Sequence, residues 1–326
     1  MARLSIPPLL YLSDDDVGRL ALTPASLRTA LRDAFRHHGE GRALVDPKRT
    51  LPVAPGRFFQ SMSAVLPESG VGGTKWVGVS AENAQVGLPT VSSLVVLGDA
   101  ATGLPVAAMS ANRLTVLRTA AMSALAAEYL ARPDSASIGF IGCGEQARGH
   151  LPALLSVLPD LRSAVCVSGG AASAERLAET ARDAGLDARA ARDPGEALAC
   201  DVVVTSVRLA PGLAFFLDAS RVRAGAFVAA VDAGASWRSD SIAAFDVLAT
   251  DDRVQAEEPS TRARLAAPRP FDADLAELVC GRAPGRGSPE ERALFLFPGF
   301  ALADLAVGAL ILGEARAAGV GLALPR

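Results

Sequence analysis

Hydrophobic residues are spaced in three different ways along this chain. Leu27, Leu31 and Phe35 recur at every fourth position behind Thr23-Pro24, a capping residue followed by a proline suited to the first helical turn, and Gly39 and Gly41 close the run. This spacing predicts one amphipathic helix. From there to about residue 110, short apolar runs at 57–66, 74–79, 90–97 and 105–109 are separated by Gly, Pro, Asn and Asp, which predicts an antiparallel meander. Beyond Arg113 an amphipathic helix leads to a short apolar strand at 137–141, a glycine turn and a second helix. Strand and helix then alternate: strand 163–168, helix 171–184, and strands at 201–207, 226–231 and 245–249. That alternation predicts a parallel, doubly wound sheet. Glycines around Arg282–Arg286 predict a loop. From Phe300 an apolar helix follows, whose Leu/Ala/Ile face reads as core packing or a subunit contact.

The turn Gly142-Cys143-Gly144-Glu145-Gln146-Ala147 has the G-x-G-x-x-A spacing of a dinucleotide fingerprint. Gly142 permits the tight turn, Gly144 lets a pyrophosphate approach the backbone, and Ala147 lets the helix lie close on the sheet. The free N–H groups and positive dipole end at the helix start hold phosphates. Following a strand and opening a helix, the turn fits a nucleotide site better than a plain structural one. The next strand ends Cys166-Val167-Ser168-Gly169-Gly170, where an acid would bind the ribose of NAD or an arginine would receive a 2′-phosphate. Neither is present. Either NAD or NADP is expected as cofactor, and the missing acid favours NADP.

Composition narrows the field. The 326 residues are enough for two domains, half of them are hydrophobic, and the formal net charge of −3 provides no basic field for nucleic acid. Cys143, Cys166, Cys200 and Cys280 are scattered without a C-x-x-C pair, which argues for a reducing compartment and against zinc. His37, His38 and His150 are the only histidines, so no metal site and no Ser-His-Asp triad is expected. The apolar run 4–12 contains Pro7 and Pro8 and leads into Asp14-Asp15-Asp16, unlike a signal peptide. The segment 300–315 carries Asp304 and Glu314 and is too short to span a bilayer. A cytoplasmic protein with no membrane partner is expected.

Three cations stand out near the predicted meander: Arg49 in DPKRTLP, Lys75 in GGTKWVGV and Arg118 in RLTVLRTAA. Lys75, flanked by apolar residues in a predicted strand, reads either as a solvated edge charge or as a cation set to receive a carboxylate. An arginine fork suits the same ligand. A partly buried lysine can also have a lowered pKa and transfer protons.

The runs NRLTVLRTAAMSALAAEYLA, GCGEQA, GTKWVGVSAENAQVGLPTVSSLVVLGDAATGLPVAAM and LFPGFALADLA resemble the ornithine cyclodeaminase/mu-crystallin family. The resemblance covers nearly the whole chain from about residue 45. It implies an α/β protein in which a Rossmann-type doubly wound sheet (residues 114–301) is inserted in a second, α+β domain for substrate binding and dimerisation (residues 1–113 plus 302–326). It further implies a homodimer and an amino or imino acid substrate. By the family pattern Arg49, Lys75 and Arg118 surround the substrate carboxylate. Thr90, Arg118, Gly142, Gly144, Glu145, Gln146, Ser168, Thr205 and Ser206 are expected along the cofactor.

Two departures bear on the chemistry. Cyclodeaminases carry a Gly-Ala-Asp motif whose acid donates a proton. This chain has Val231-Asp232-Ala233-Gly234-Ala235-Ser236-Trp237-Arg238, so Gly234-Ala235-Ser236 places a serine where the acid would stand, and Asp232 just upstream is the candidate replacement. The family's Phe-Lys-Ser near the nicotinamide becomes Phe295-Leu296-Phe297, losing a lysine and a hydroxyl. The resulting expectation is an NAD(P)-dependent oxidoreductase acting on the C–N bond of an amino acid or cyclic imino acid, with Lys75 and Asp232 as catalytic candidates. The alternatives are a cyclodeaminase or amino-acid condensing enzyme of a biosynthetic pathway, and a non-catalytic NADP-dependent small-molecule binder.

Overall fold

The computed structural model describes residues 6–207, 215–265 and 267–326; the first two residues of the apolar run 4–12 lie outside the described residues. The chain forms two compact units, Met1–Arg118 with Phe300–Arg326, and Thr119–Gly299. The division falls after Arg118 rather than Arg113, and before Phe300 rather than Leu302.

The first unit begins with strand β1 (Leu9–Leu12), then helices α1 (Asp14–Gly18) and α2 (Pro24–Gly39). The Thr23 side chain accepts a hydrogen bond from Ser26 N at 3.1 Å, and α2 buries Leu27, Leu31 and Phe35 as its spacing predicts. Strands β2 (Leu44–Ala54), β3 (Arg57–Leu66), β4 (Val71–Ser80), β5 (Val91–Asp99) and β6 (Pro105–Ser110) pair successively as the antiparallel meander. β2 is a correction to the sequence reading. It carries Pro47 and Pro52, which a strand tolerates at a sheet edge, and β2 is the edge strand. Helix α3 (Asn112–Leu130) follows.

The second unit contains β7 (Ser137–Ile141), α4 (Glu145–Leu155), β8 (Ser163–Val167), α5 (Ala171–Asp183), β9 (Asp187–Ala191), α6 (Pro194–Leu198), β10 (Val202–Thr205), β11 (Phe227–Ala230), β12 (Val247–Thr250), α7 (Arg253–Glu257), α8 (Pro259–Arg262), β13 (Ala273–Asp274), α9 (Leu275–Val279) and β14 (Ala293–Leu296). These eight strands lie parallel in the order β13-β12-β14-β11-β10-β7-β8-β9. Strand order reverses between β7 and β10, the switch point at which doubly wound sheets bind ligands beyond their C-terminal strand ends. The predicted doubly wound sheet is therefore present, and β9, β13 and β14 extend it beyond the strands read from sequence. Phe295-Leu296 lies inside β14, a wholly buried central strand.

The chain returns to the first unit with α10 (Ala301–Ala318) and β15 (Leu322–Leu324), completing a seven-stranded sheet in the order β15-β1-β6-β5-β4-β3-β2. α10 packs on β3, β4 and β5 and against α2, which is why it is apolar on all sides. Beneath α10 one row of cross-strand neighbours runs Leu12, Met109, Val95, Lys75, Met62, and every member is buried. Four of the five are apolar; the fifth is a lysine.

Candidate active site

Lys75 shares that apolar row because β4 alternates, presenting Lys75 and Val77 to the α10 side and Trp76 to the other. The structure overturns the reading of Lys75 as a solvated edge charge: the residue is 2 % exposed. A charge buried there needs a partner. Asp304, in the first turns of α10 and 0 % exposed, supplies it: Lys75 Nζ donates to Asp304 Oδ1 at 2.6 Å. Arg118 of α3, also buried, brings Nε to 3.0 Å from the same oxygen. Burial lowers the Lys75 pKa, Asp304 raises it and Arg118 lowers it, and together they bring it down from 10.5 to about 8. Lys75 is therefore poised to change protonation state near neutral pH, and two cations share one anion.

Of the three expected carboxylate-binding residues, Lys75 and Arg118 are brought together and Arg49 is not. Arg49 on β2 is in register with Ser61 and, across β3, with Trp76, on the face opposite Lys75. Its guanidinium is largely exposed and lies 3.6 Å from Asp46. Thr90 is half-buried ahead of β5, and its carbonyl accepts from Ser80 N at 2.9 Å. Asp304 is the site residue that sequence reading missed. Its signal was present, since a lone acid in the opening turns of an all-apolar helix demands a cation.

In the second unit, the expected cofactor residues line the C-terminal ends of β7, β8 and β10. Gly142 has φ +90°, and a Cβ there would lie 2.5 Å from the Ser206 carbonyl oxygen, so glycine is required on both counts. Ser206 Oγ donates to the Gly142 carbonyl at 2.9 Å, tying the two sides of the switch point together. Gly144 caps α4 with no side-chain hydrogen bond, and a Cβ on it would meet nothing within 4 Å. Open space thus faces a helix start whose N–H groups have no side-chain cap, and Ala147 beneath is fully buried. These features fit a pyrophosphate: Gly142 shapes its turn, and Gly144, Glu145 and Gln146 offer it backbone N–H groups.

After β8, Ser173 Oγ donates to the Gly170 carbonyl and is hydrogen-bonded to Ser168 Oγ, each at 2.8 Å. No carboxylate stands between Ser168 and Gly170, and Gly169 has open space above it.

Asp232 follows β11. It accepts from Ser236 Oγ at 2.7 Å, Thr205 Oγ1 at 3.1 Å, Gly234 N at 3.3 Å and Val207 N at 3.4 Å. Trp237 Nε1 in turn donates to Thr205 Oγ1 at 3.2 Å. Burial pushes the Asp232 carboxyl above its usual value, against the pull of these hydrogen bonds. The arrangement braces the loops after β10 and β11, where Ala233 adopts φ +54°. His150 and Ser123 form a second polar pair, Nε2 to Oγ at 3.0 Å, with His150 Nδ1 2.7 Å from the Gln146 carbonyl. Both residues are wholly buried, which closes the pair to solvent. Among the described residues no cluster of His, Cys, Asp or Glu is arranged to hold a metal ion, and no helix is long and apolar enough to cross a membrane.

Comparison with known proteins identifies the family. Residues 10–319 match the model of the ornithine cyclodeaminase/mu-crystallin family. The chain is 31% identical to an alanine dehydrogenase of Archaeoglobus fulgidus over 96% of this chain and 97% of that protein. Among solved structures, a Thermococcus litoralis Delta(1)-pyrroline-2-carboxylate reductase in complex with NADH and L-proline superimposes with a TM-score of 0.87 at 26% identity, covering 97% of this chain and all of the other. An archaeal alanine dehydrogenase dimer with bound NAD gives a TM-score of 0.86 at 30% identity, covering 96% and 98%. The chain belongs to the ornithine cyclodeaminase/mu-crystallin family.

Proposed function

We propose that this NAD(P)-dependent oxidoreductase reduces the C=N bond of an α-imino acid to the amine, with Lys75 as the proton donor and Arg118 as a carboxylate anchor. The observation that carries this reading is Lys75 buried in an apolar row beside Arg118, with one aspartate between two cations. A substrate carboxylate brings a further negative charge to this pair of buried cations. When bound, NAD(P)H supplies the hydride that becomes the new C–H bond. As the C=N electron pair collects on nitrogen, Lys75 Nζ gives up its proton to form the N–H bond and is left neutral. Alanine dehydrogenase and pyrroline-2-carboxylate reductase relatives support this substrate class.

Asp232 acts as a brace in this reading, which the four hydrogen bonds its oxygens accept within its own loops support. With no acid at the Gly-Ala-Asp position, reduction is favoured over deamination with ring closure, the second reading. For the cofactor, the Ser168-Gly169-Gly170 end of β8 carries no carboxylate to repel a 2′-phosphate, so NADPH binds at least as tightly as NADH. A homodimer is the assembly proposed. Trp76 and Phe59, stacked at 5.3 Å, together with Leu51 and Leu94 leave an apolar patch on the open face of the first sheet.

The test is to supply purified protein with NADH or NADPH and pyrroline-2-carboxylate, piperideine-2-carboxylate, or pyruvate with ammonia, and to follow cofactor absorbance. Turnover with one of them, abolished in Lys75→Ala with cofactor affinity kept, is the expected result. Proline formation from ornithine without net cofactor consumption establishes the cyclodeaminase instead. Ligand affinity unchanged in Lys75→Ala, without turnover in either protein, establishes a binder.

A further inference from the structure

The chain contains only two lysines, Lys48 and Lys75, among its 32 Lys and Arg residues. An arginine at position 75 would hold an anion as well, but an arginine does not release its proton at any ordinary pH. The buried position therefore carries a lysine in a protein that otherwise uses arginine almost throughout. Asp304 meets it in an unusual way. A carboxylate recruited to neutralise an arginine would offer both oxygens to the guanidinium fork. Here Lys75 Nζ and Arg118 Nε converge on Oδ1, while Oδ2 is buried with no hydrogen-bond partner among the described residues. An orphaned carboxylate oxygen at zero exposure is costly and gives the fold nothing in return.

We propose that Asp304 is the positioning residue for proton transfer: it pins the Lys75 ammonium at one point as its counter-charge and holds Arg118 at the same oxygen. This rests on the reductase reading, in which Lys75 donates the proton. The charged groups facing Lys75 are Asp304 from α10 and Arg118 from α3; the neighbouring strands set Met62 and Val95 beside it. Burial and Arg118 both drive the proton off Lys75, and Asp304 alone opposes them. Removing the aspartate charge therefore lowers the Lys75 pKa further and weakens its hold on the proton it gives. The transfer leaves Lys75 uncharged beside an intact Asp304–Arg118 pair, so the array passes from net positive to neutral. Solvent protons restore it after release of product.

The experiment labels the full-length protein with ¹⁵N-lysine, so that only two Nζ resonances appear, and Lys48→Arg assigns them. In the wild type the Lys75 resonance titrates near pH 8. In Asp304→Asn its midpoint falls by about 1–3 pH units, and the alkaline limb of kcat for imine reduction moves down with it. A Lys75 midpoint in the ordinary lysine range, or one unmoved in folded Asp304→Asn, overturns the proposal. Should Asp304→Asn fail to fold, Asp304→Glu carries the test. It keeps the charge but displaces it, so the Lys75 midpoint stays near the wild-type value while kcat falls at least tenfold; wild-type kcat there overturns the positioning role. The resonance readout needs no substrate. Absence of turnover in the wild type therefore counts against the reductase reading and leaves the Asp304 result standing or falling by itself.

Discussion

A side chain on Gly142 would collide with the carbonyl oxygen of Ser206 at 2.5 Å, and the two residues stand on opposite sides of the point where strand order reverses. The glycine turn is thus fitted to the loop after β10 as closely as to any ligand. Gly144, two positions on, has φ −86°, and a methyl placed on it would find nothing within 4 Å. The two glycines therefore separate fold from binding. Gly142→Ala is expected to lower stability by about 1–3 kcal/mol through strain and displacement of the Ser206 loop. Gly144→Ala should leave the melting temperature unchanged yet weaken NAD(P)H binding about tenfold or more, because the methyl occupies the phosphate's space. Calorimetry of the two variants and fluorescence titration with cofactor check both.

Imine reduction should lose rate as pH rises. Lys75 titrates at about 8 in the folded protein, and it must carry its proton to donate it. The reduction rate is therefore expected to be level below that pH and to fall tenfold per unit above it; oxidation of the amino acid should show the opposite limb. A kcat profile between pH 6 and 10 measures this, and a rate rising through pH 8 in the reductive direction contradicts it.

Replacing Lys75 by arginine keeps a cation beside Asp304 but removes the transferable proton. Loss of turnover by about 10²–10⁴-fold is expected, the range for a general acid, with NAD(P)H affinity kept. Stopped-flow measurement of hydride transfer and cofactor titration separate the two effects.

Asp232→Asn distinguishes a brace from an acid. An asparagine cannot accept from both Ser236 and Thr205 as the carboxylate does, so a destabilisation of about 1–3 kcal/mol is expected on urea unfolding. At saturating cofactor and below the unfolding transition, kcat should stay within about tenfold of wild type, whereas removal of a general acid would cost about 10²–10⁴-fold.

The open sheet face gives a test of assembly. Trp76→Glu places a charge in the apolar patch that includes Phe59, and sedimentation velocity is expected to show the dimer of the wild type replaced by monomer. A wild-type monomer at micromolar concentration refutes the assembly.

Much of this architecture could be read from residue spacing, and the exceptions have physical causes. The helix from Thr23-Pro24 and the strands 57–66 and 137–141 end where their caps, glycines and periodicity place them. β2 escaped because its two prolines speak against a strand unless it lies at an edge, which local sequence does not reveal. β14 escaped because four buried apolar residues carry no period to distinguish strand from helix. The nucleotide turn was legible because its chemistry is local. The partner of Lys75 was not: Asp304 registered only as a charge interrupting an apolar helix, and pairing it with one particular lysine required the fold.

Lys75 and Asp304 are 229 positions apart, with the whole of the second unit between them in the chain. A nascent polypeptide that has folded β4 but not yet emerged as far as α10 holds an ammonium group with no counter-ion and a sheet with one face uncovered. The lysine can enter its dry row only when the last helix arrives to accompany it. Completion of the Lys75–Asp304 pair thus waits until α10 has been made, after the whole of the second unit, and a product truncated before α10 cannot form it.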